Sequence, residues 1–275
     1  MQSSPNQLSR CNDVRNGINV RVFANAVDAN TCVATEMAAL IRQRAQDGKA
    51  CVLGLATGST PVGVYRELIR MHRDEGLSLQ NVVTFNLDEY FPIQPDAPQS
   101  YVRFMNEHLF DFVDIDRKNI HIPDGTHPLD SVAADCCEYE KQIADAGGID
   151  IQILGIGRTG HIGFNEPGSG RNGLTRLVKL NSLTRNDAAA AFGGLEKVPK
   201  SAITMGVKTI LSARKIRLLA FGEHKASIVE QAVCGSVSDA VPATFLQGHQ
   251  DVQFLLDEAA AEKLVSNQNE SGDSC

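Results

Sequence analysis

The chain has 275 residues, of which 26 are basic and 33 acidic, giving a formal net charge of −7. That balance offers no general attraction to nucleic acid or to an anionic membrane surface, so neither is expected as a partner. Hydrophobic residues make up 43%, and no run approaches the roughly 18 consecutive apolar residues of a membrane helix; one large α/β domain, or two small ones, is the size class left.

The polar start, MQSSPNQLSRCNDVRNG, lacks the apolar centre of a secretion signal, and residues 1–16 are expected to be a flexible segment. Seven cysteines (11, 32, 51, 136, 137, 234 and 275) are scattered without a C-x-x-C pair. They read as reduced thiols in a cytoplasmic protein, with no metal site and no disulfide framework.

From residue 18 onward, β-branched apolar runs alternate with helical periodicity. INVRVFA (18–24) predicts a strand and 26–46 a helix. CVLGLA (51–56) predicts a second strand, followed by TGSTP and a helix over 61–73. VVTFNL (82–87) predicts a third strand running into Asp88-Glu89-Tyr90. Helices are then expected at 100–110 and 131–146, a strand in IDIQILGI (149–156) and a helix at 207–213. The strand KIRLLAF (215–221), a helix at 224–234 and the strand VQFLLD (252–257) complete the series. This alternation predicts an open, mainly parallel, doubly wound (Rossmann-like) sheet with helices on both faces. The runs are nearly continuous in apolar residues, as doubly covered strands require. There is no internal repeat and no long linker, so 17–265 is expected to be a single domain and 266–275, SNQNESGDSC, a flexible tail.

Gly155-Ile156-Gly157-Arg158-Thr159-Gly160 spells the dinucleotide fingerprint G-x-G-x-x-G after a predicted strand. A dinucleotide site needs Gly160 to open a helix and an acid about 20 residues later to hold a ribose. Here HIGFNEPGSGRNG follows, in which Pro167 and Gly163, Gly168, Gly170 and Gly173 forbid a helix, and no such acid is in place. The glycines therefore frame a polar loop carrying His161, Asn165 and Glu166, at the strand end where open α/β sheets bind ligands.

Other strand ends add to it. Thr57, Gly58, Ser59 and Thr60 precede a helix and suit a phosphate ester, although an ordinary cap by Ser59 or Thr60 would use the same residues. No Walker A string occurs, so ATP is not the expected ligand. Of Asp88 and Glu89, neighbours on an extended chain, one is expected to face a cleft while the other is tied behind it. A partly desolvated carboxylate there would serve as a general base. Lys225 falls in a first helical turn, against the dipole preference, which an anion shared with the TGST loop would explain.

GLATGSTPVGVYREL, VVTFNLDEY, SYVRFMNEHLF, GIGRTGHIGFNEPGS and AITMGVKTIL together resemble the glucosamine-6-phosphate deaminases (glucosamine-6-phosphate isomerases), over about residues 18–258. The resemblance implies conversion of D-glucosamine 6-phosphate and water into D-fructose 6-phosphate and ammonia, in amino-sugar catabolism and N-acetylglucosamine utilisation. It implies His161 for opening the pyranose ring, Glu166 as its anionic partner and Asp88 for moving the proton between C2 and C1. Thr57, Gly58, Ser59, Thr60, Gly155 and Lys225 are implied for binding the phosphorylated amino sugar. No metal and no redox cofactor are expected, and the oligomeric state is left open between a single chain and a homo-oligomer.

The sequence departs from the family pattern in two places. Thr159 stands where relatives often carry Asp or Asn, and Ala190 where an arginine often holds the phosphate. Lys225 and the Thr57–Thr60 loop are then expected to bind the phosphate, with Arg185 or Arg176 nearby. Ser169 and Arg176 match part of an allosteric pattern for N-acetylglucosamine 6-phosphate, but the next basic position holds Val178, with Lys179 one step displaced. Two rival readings share the fold: a 6-phosphogluconolactonase-like esterase, and a sugar-phosphate sensor that binds without turnover.

Overall fold

The computed structural model describes residues 9–270. In chain order, β1 (Ser9–Arg15) and β2 (Ile18–Phe23) lead into α1 (Ala26–Gln46). Next come β3 (Cys51–Leu55), α2 (Val62–Glu75), β4 (Val82–Asn86), β5 (Asp88–Phe91) and α3 (Tyr101–His108). β6 (Ile120–His121), α4 (Val132–Asp145), β7 (Ile151–Leu154), β8 (Arg176–Lys179) and α5 (Ser182–Phe192) follow. The chain continues through β9 (Ser201–Thr204), α6 (Val207–Leu211), β10 (Lys215–Ala220), α7 (Ala226–Cys234), β11 (Val252–Asp257) and α8 (Glu258–Glu270).

Eight strands form one sheet in the order β1-β2-β11-β10-β7-β3-β4-β6, parallel throughout except for β1. Alternation along each strand sends neighbouring residues to opposite faces. Val52, Phe85, Leu154, Leu218 and Phe254 pack with residues of α4, α6, α7 and α8, including Tyr139, Ile210, Val229 and Ala260. Leu53, Ile151, Leu219 and Leu255 pack on the other face with Val33 and Met37 of α1, Tyr65 and Leu68 of α2 and Met105 of α3. This is the doubly wound sheet the alternation predicts. Gln152 sits at its centre, and an added Cβ at Gly54 on the neighbouring strand would lie 2.0 Å from its Oε1. Close strand packing therefore fixes glycine inside an otherwise apolar β3.

Two expectations are corrected at the ends of the chain. Residues 9–15 are not loose: β1 pairs antiparallel with β2, Arg15 opposite Ile18. The turn is Asn16-Gly17, both at positive φ (48° and 80°), the conformation of a two-residue hairpin turn. The dipeptide NG was the readable signal for it. At the other end α8 runs through Glu270, five residues into the expected tail. The remainder of both expected flexible segments, residues 1–8 and 271–275, lies outside the described residues.

A second sheet, β5-β9-β8, is antiparallel and sits where β4 leaves the main sheet. It aligns Asp88 with Thr204 and Arg176 with Thr204 on the other side. None of its four-residue strands was expected as a separate element apart from the extended run at Asp88, and α5 was not expected at all. α5 has no buried residue, so it lacks the apolar stripe by which a helix is recognised. Its ends carry the information instead: Asn181 accepts from the Thr184 N–H, and Gly193 closes it at φ 70°.

Candidate active site

The carboxyl ends of β3, β4 and β7 open on a cleft of about 250 Å³, lined by Thr57, Gly58, Ser59, Thr60, Asp88, Tyr101, Gly155, Ile156, Gly157, His161 and Phe164, among others. Of the binding residues expected from sequence, Lys225 alone is missing from this wall. It stands just behind it, its Nζ donating to the Ile156 carbonyl at 2.8 Å. Burial pushes the Lys225 ammonium down from the ordinary lysine value, and the nearby charge of Arg158 pushes it further, with Asp187 opposing.

Thr57–Thr60 connects β3 to α2, whose first residue follows Pro61; no side chain caps that end. The ordinary-cap reading of Ser59 and Thr60 is therefore not what the structure shows. This 14-residue helix starts, without a side-chain cap, two residues after the cleft-lining Thr60, and an uncapped helix N-terminus is a place that holds a phosphate.

Asp88 and Glu89 divide as alternation requires. Glu89 Oε2 accepts from the Ser100 hydroxyl at 2.9 Å and from the Tyr101 N–H at 2.8 Å, while Oε1 accepts from the Tyr90 N–H. It ties the start of α3 behind the cleft. Burial raises the Glu89 carboxyl above its ordinary value, against the pull of these bonds. Asp88 is buried in the cleft floor with no such partners, and burial, then repulsion from Glu89, lifts it from the ordinary 3.8 to about 8. A carboxylate in this condition holds and releases a proton near neutral pH.

The glycine loop exists to place an imidazole. An added Cβ at Gly157 would lie 2.0 Å from His161 Cε1 and Nε2, so only glycine lets the ring lie across the backbone there. Gly163, at φ 57°, faces Asp88, whose Oδ2 would be 3.3 Å from a Cβ. His161 Nδ1 sits 2.8 Å from the Thr159 hydroxyl and 3.1 Å from Glu166 Oε2. Thr159 in turn donates to the same Glu166 oxygen at 3.0 Å, and the Thr184 hydroxyl donates to Oε1. Burial pushes the Glu166 carboxyl up, but the bonds from His161, Thr184 and Thr159 outweigh it and leave it below its ordinary value. Glu166 is thus a carboxylate that fixes Nδ1–H and leaves Nε2 for proton transfer. Thr159 bonds both groups, so the uncharged hydroxyl helps to hold the ring while Glu166 supplies the negative charge beside Nδ1.

The sequence profile of the glucosamine-6-phosphate isomerases/6-phosphogluconolactonase family matches residues 24–254. The chain belongs to this family. Similar family members include glucosamine-6-phosphate deaminase 2 of Bacillus subtilis, 49% identical over 231 residues that cover 83% of this chain and 92% of that protein. A glucosamine-6-phosphate deaminase-like protein of Bacteroides thetaiotaomicron, itself named putative, is 46% identical over 89% of this chain. The aligned region spans only 37% of that longer relative. Among solved structures, a monomeric glucosamine-6-phosphate deaminase superposes with a TM-score of 0.84 at 42% identity, covering 89% of this chain and 99% of its own.

Within this family scaffold the remaining expected residues are placed as follows. Arg185 does not line the cleft; its Nη2 donates to the carbonyls of Leu195 and Val198 at 2.9 and 3.1 Å. Arg176 is likewise turned away, donating to Asn165 Oδ1 at 2.9 Å and to Ser169 Oγ at 3.4 Å. Ser169 and Arg176 are therefore brought together, outside the cleft. Thr184 is the residue that sequence reasoning missed. Its position inside the unrecognised α5 hid its contact with Glu166.

Proposed function

We propose that this chain is a glucosamine-6-phosphate deaminase, converting D-glucosamine 6-phosphate and water into D-fructose 6-phosphate and ammonia. The observation that carries the reading is Asp88: a buried carboxylate without hydrogen-bond partners among the described residues, in the same cleft as a Glu-held histidine and an uncapped helix N-terminus. The phosphate docks on the start of α2 and the Thr57–Thr60 hydroxyls, near Lys225. His161 Nε2 takes the proton of the anomeric hydroxyl and returns one to the ring oxygen, opening the pyranose. Asp88 then removes the proton from C2, giving an enolamine as the C1 oxygen is protonated, and delivers a proton to C1. Water adds at C2 and ammonia leaves. An aldose–ketose proton transfer of this kind needs one carboxylate beside two carbons, which a lactone hydrolysis does not.

The unit that carries this activity is read as a single α/β domain over 17–265, extended by β1. Its amino-sugar substrate belongs to catabolism of N-acetylglucosamine in the cytoplasm; no helix among the described residues is long and apolar enough to cross a membrane. No effector is assigned to Ser169 and Arg176, because Arg176 is committed to Asn165 and only the exposed Lys179 supplies further charge on β8. The test is incubation with glucosamine 6-phosphate, following ammonia and fructose 6-phosphate together, with Asp88→Asn and a lactone substrate alongside. Equimolar products that vanish in Asp88→Asn support the reading. Lactone hydrolysis without deamination, or saturable binding without turnover, sinks it.

A further inference from the structure

The phosphate end of the cleft is short of positive charge. Among the described residues no lysine or arginine lines it, and Lys225 reaches it only from behind Ile156. A phosphomonoester carries between one and two negative charges near neutral pH, whereas a helix N-terminus supplies only a partial positive charge. Arg185 and Arg176 point elsewhere.

A second cation nevertheless acts on Lys225 from nearby. Arg158 follows directly on Ile156 and Gly157, both in the cleft wall. The charges of Arg158 and Asp187 both act on the Lys225 ammonium, so both lie within electrostatic reach of it. Arg158 is not aimed at the cleft. Its Nε donates to Asp187 Oδ2 at 3.1 Å and its Nη2 to Oδ1, and both side chains are about half exposed. Asp187 lies on α5 three residues after Thr184, so the same face of the helix holds Glu166 through one residue and Arg158 through the other. If Asp187 lets go, Thr184 and the Asn181 cap still seat the helix.

We propose that Arg158 is a second phosphate-binding residue held in reserve by Asp187. On this reading, which rests on the sugar-phosphate function proposed above, substrate binding exchanges one partner for another. The guanidinium leaves a monovalent carboxylate for a phosphate that offers more charge and the same two-pronged geometry. The exchange is feasible because a half-exposed ion pair contributes little, and the released carboxylate is rehydrated at the surface. Arg158 then supplies, from the glycine loop, the charge that Ala190 on α5 does not.

The proposal makes two substitutions act in opposite directions. Arg158→Ala is expected to raise KM for glucosamine 6-phosphate about tenfold, the effect of losing one charge-assisted bond, with a smaller change in kcat. Arg158→Lys restores part of the loss. Asp187→Asn frees the guanidinium and is expected to lower KM. A purely structural latch predicts instead that Arg158→Ala and Asp187→Asn move KM the same way, or not at all; either result overturns the proposal. Calorimetric titration of the same full-length proteins with fructose 6-phosphate reads the affinity without turnover. If the unsubstituted protein binds fructose 6-phosphate but does not deaminate, the proposed reaction fails while the opposed shifts still decide Arg158. If it binds neither sugar phosphate, both fail.

Discussion

The two ends of the main sheet each bury an aspartate, and they do so in opposite ways. At the amino end of the strands Asp150, 3% exposed, accepts from Arg44 and from Arg214 at 3.0 Å through Oδ1, and from the Val52 N–H at 3.0 Å through Oδ2. At the carboxyl end Asp88, 6% exposed, has among the described residues neither a cation nor a donor to compensate it. Burial of a charge is costly unless partners replace the lost water. Asp150 has its partners and locks β3, β7, α1 and the Arg214 turn together. Asp88 lacks them and remains a group whose proton is easily exchanged. Equal burial thus separates a compensated carboxylate from an uncompensated one, and what distinguishes them is the company each keeps.

The largest effect expected from breaking this contrast is on Asp88. Asp88→Asn should lower kcat/KM at least about a thousandfold, as loss of a positioned general base does. The same change should leave the fold more stable at alkaline pH. Asp88 has a folded pKa of about 8, above its ordinary 3.8, so between those values the unfolded chain has released a proton that the folded chain retains. Wild-type stability therefore falls as pH rises through that window, and the variant lacks this loss. Thermal unfolding from pH 5 to 9 should show the variant pulling ahead up to about pH 8; parallel curves would contradict an unpaired Asp88.

Asp150→Asn should do the reverse. It leaves Arg44 and Arg214 without their shared carboxylate and should cost about 3 kcal/mol by denaturant unfolding, while kcat of the folded fraction is retained. A comparable loss of kcat would show that the two sheet ends are not independent.

A finer probe is the pH profile. The base must be ionised in the free protein, so kcat/KM should rise with pH toward about 8. Glu89→Gln removes the second cause of that high value and should shift the rise to lower pH, leaving burial to hold most of it. No shift would mean that Glu89 charge does not reach Asp88. The smallest effect expected is from Thr159→Val. His161 keeps Glu166 at 3.1 Å, so kcat/KM should fall by about tenfold, the equivalent of one hydrogen bond. Complete loss would show that the threonine bridge, not Glu166, orients the ring.

How far this was legible from sequence follows from which interactions are local. Six of the eight strands of the main sheet announce themselves as apolar runs, because both faces are covered; β1, polar in sequence, and the two-residue β6 do not. The glycine loop and the TGST loop are legible for the same kind of reason: turn, close approach and helix start are properties of a few consecutive residues. The division of labour between Asp88 and Glu89 follows from alternation alone. The Asn16-Gly17 hairpin was equally local, and its signal was present in the sequence.

What only the tertiary structure decided depends on residues far apart in the chain. The small sheet pairs β5 with β9 more than a hundred residues later, and four-residue strands carry too little pattern to declare such a partner. α5 shows no apolar face, so nothing in its own sequence says that Thr184 and Asp187 will meet Glu166 and Arg158. Which arginines reach the cleft was likewise undecidable, since Arg185 and Arg176 are drawn off by carbonyls and an amide that folding brings to them. The sequence by itself determined six strands of the main sheet, the loops at its carboxyl edge and the chemical groups they carry. The fold determined which of those groups are satisfied by partners and which are left to react, because hydrogen bonds and desolvation are set by three-dimensional neighbours.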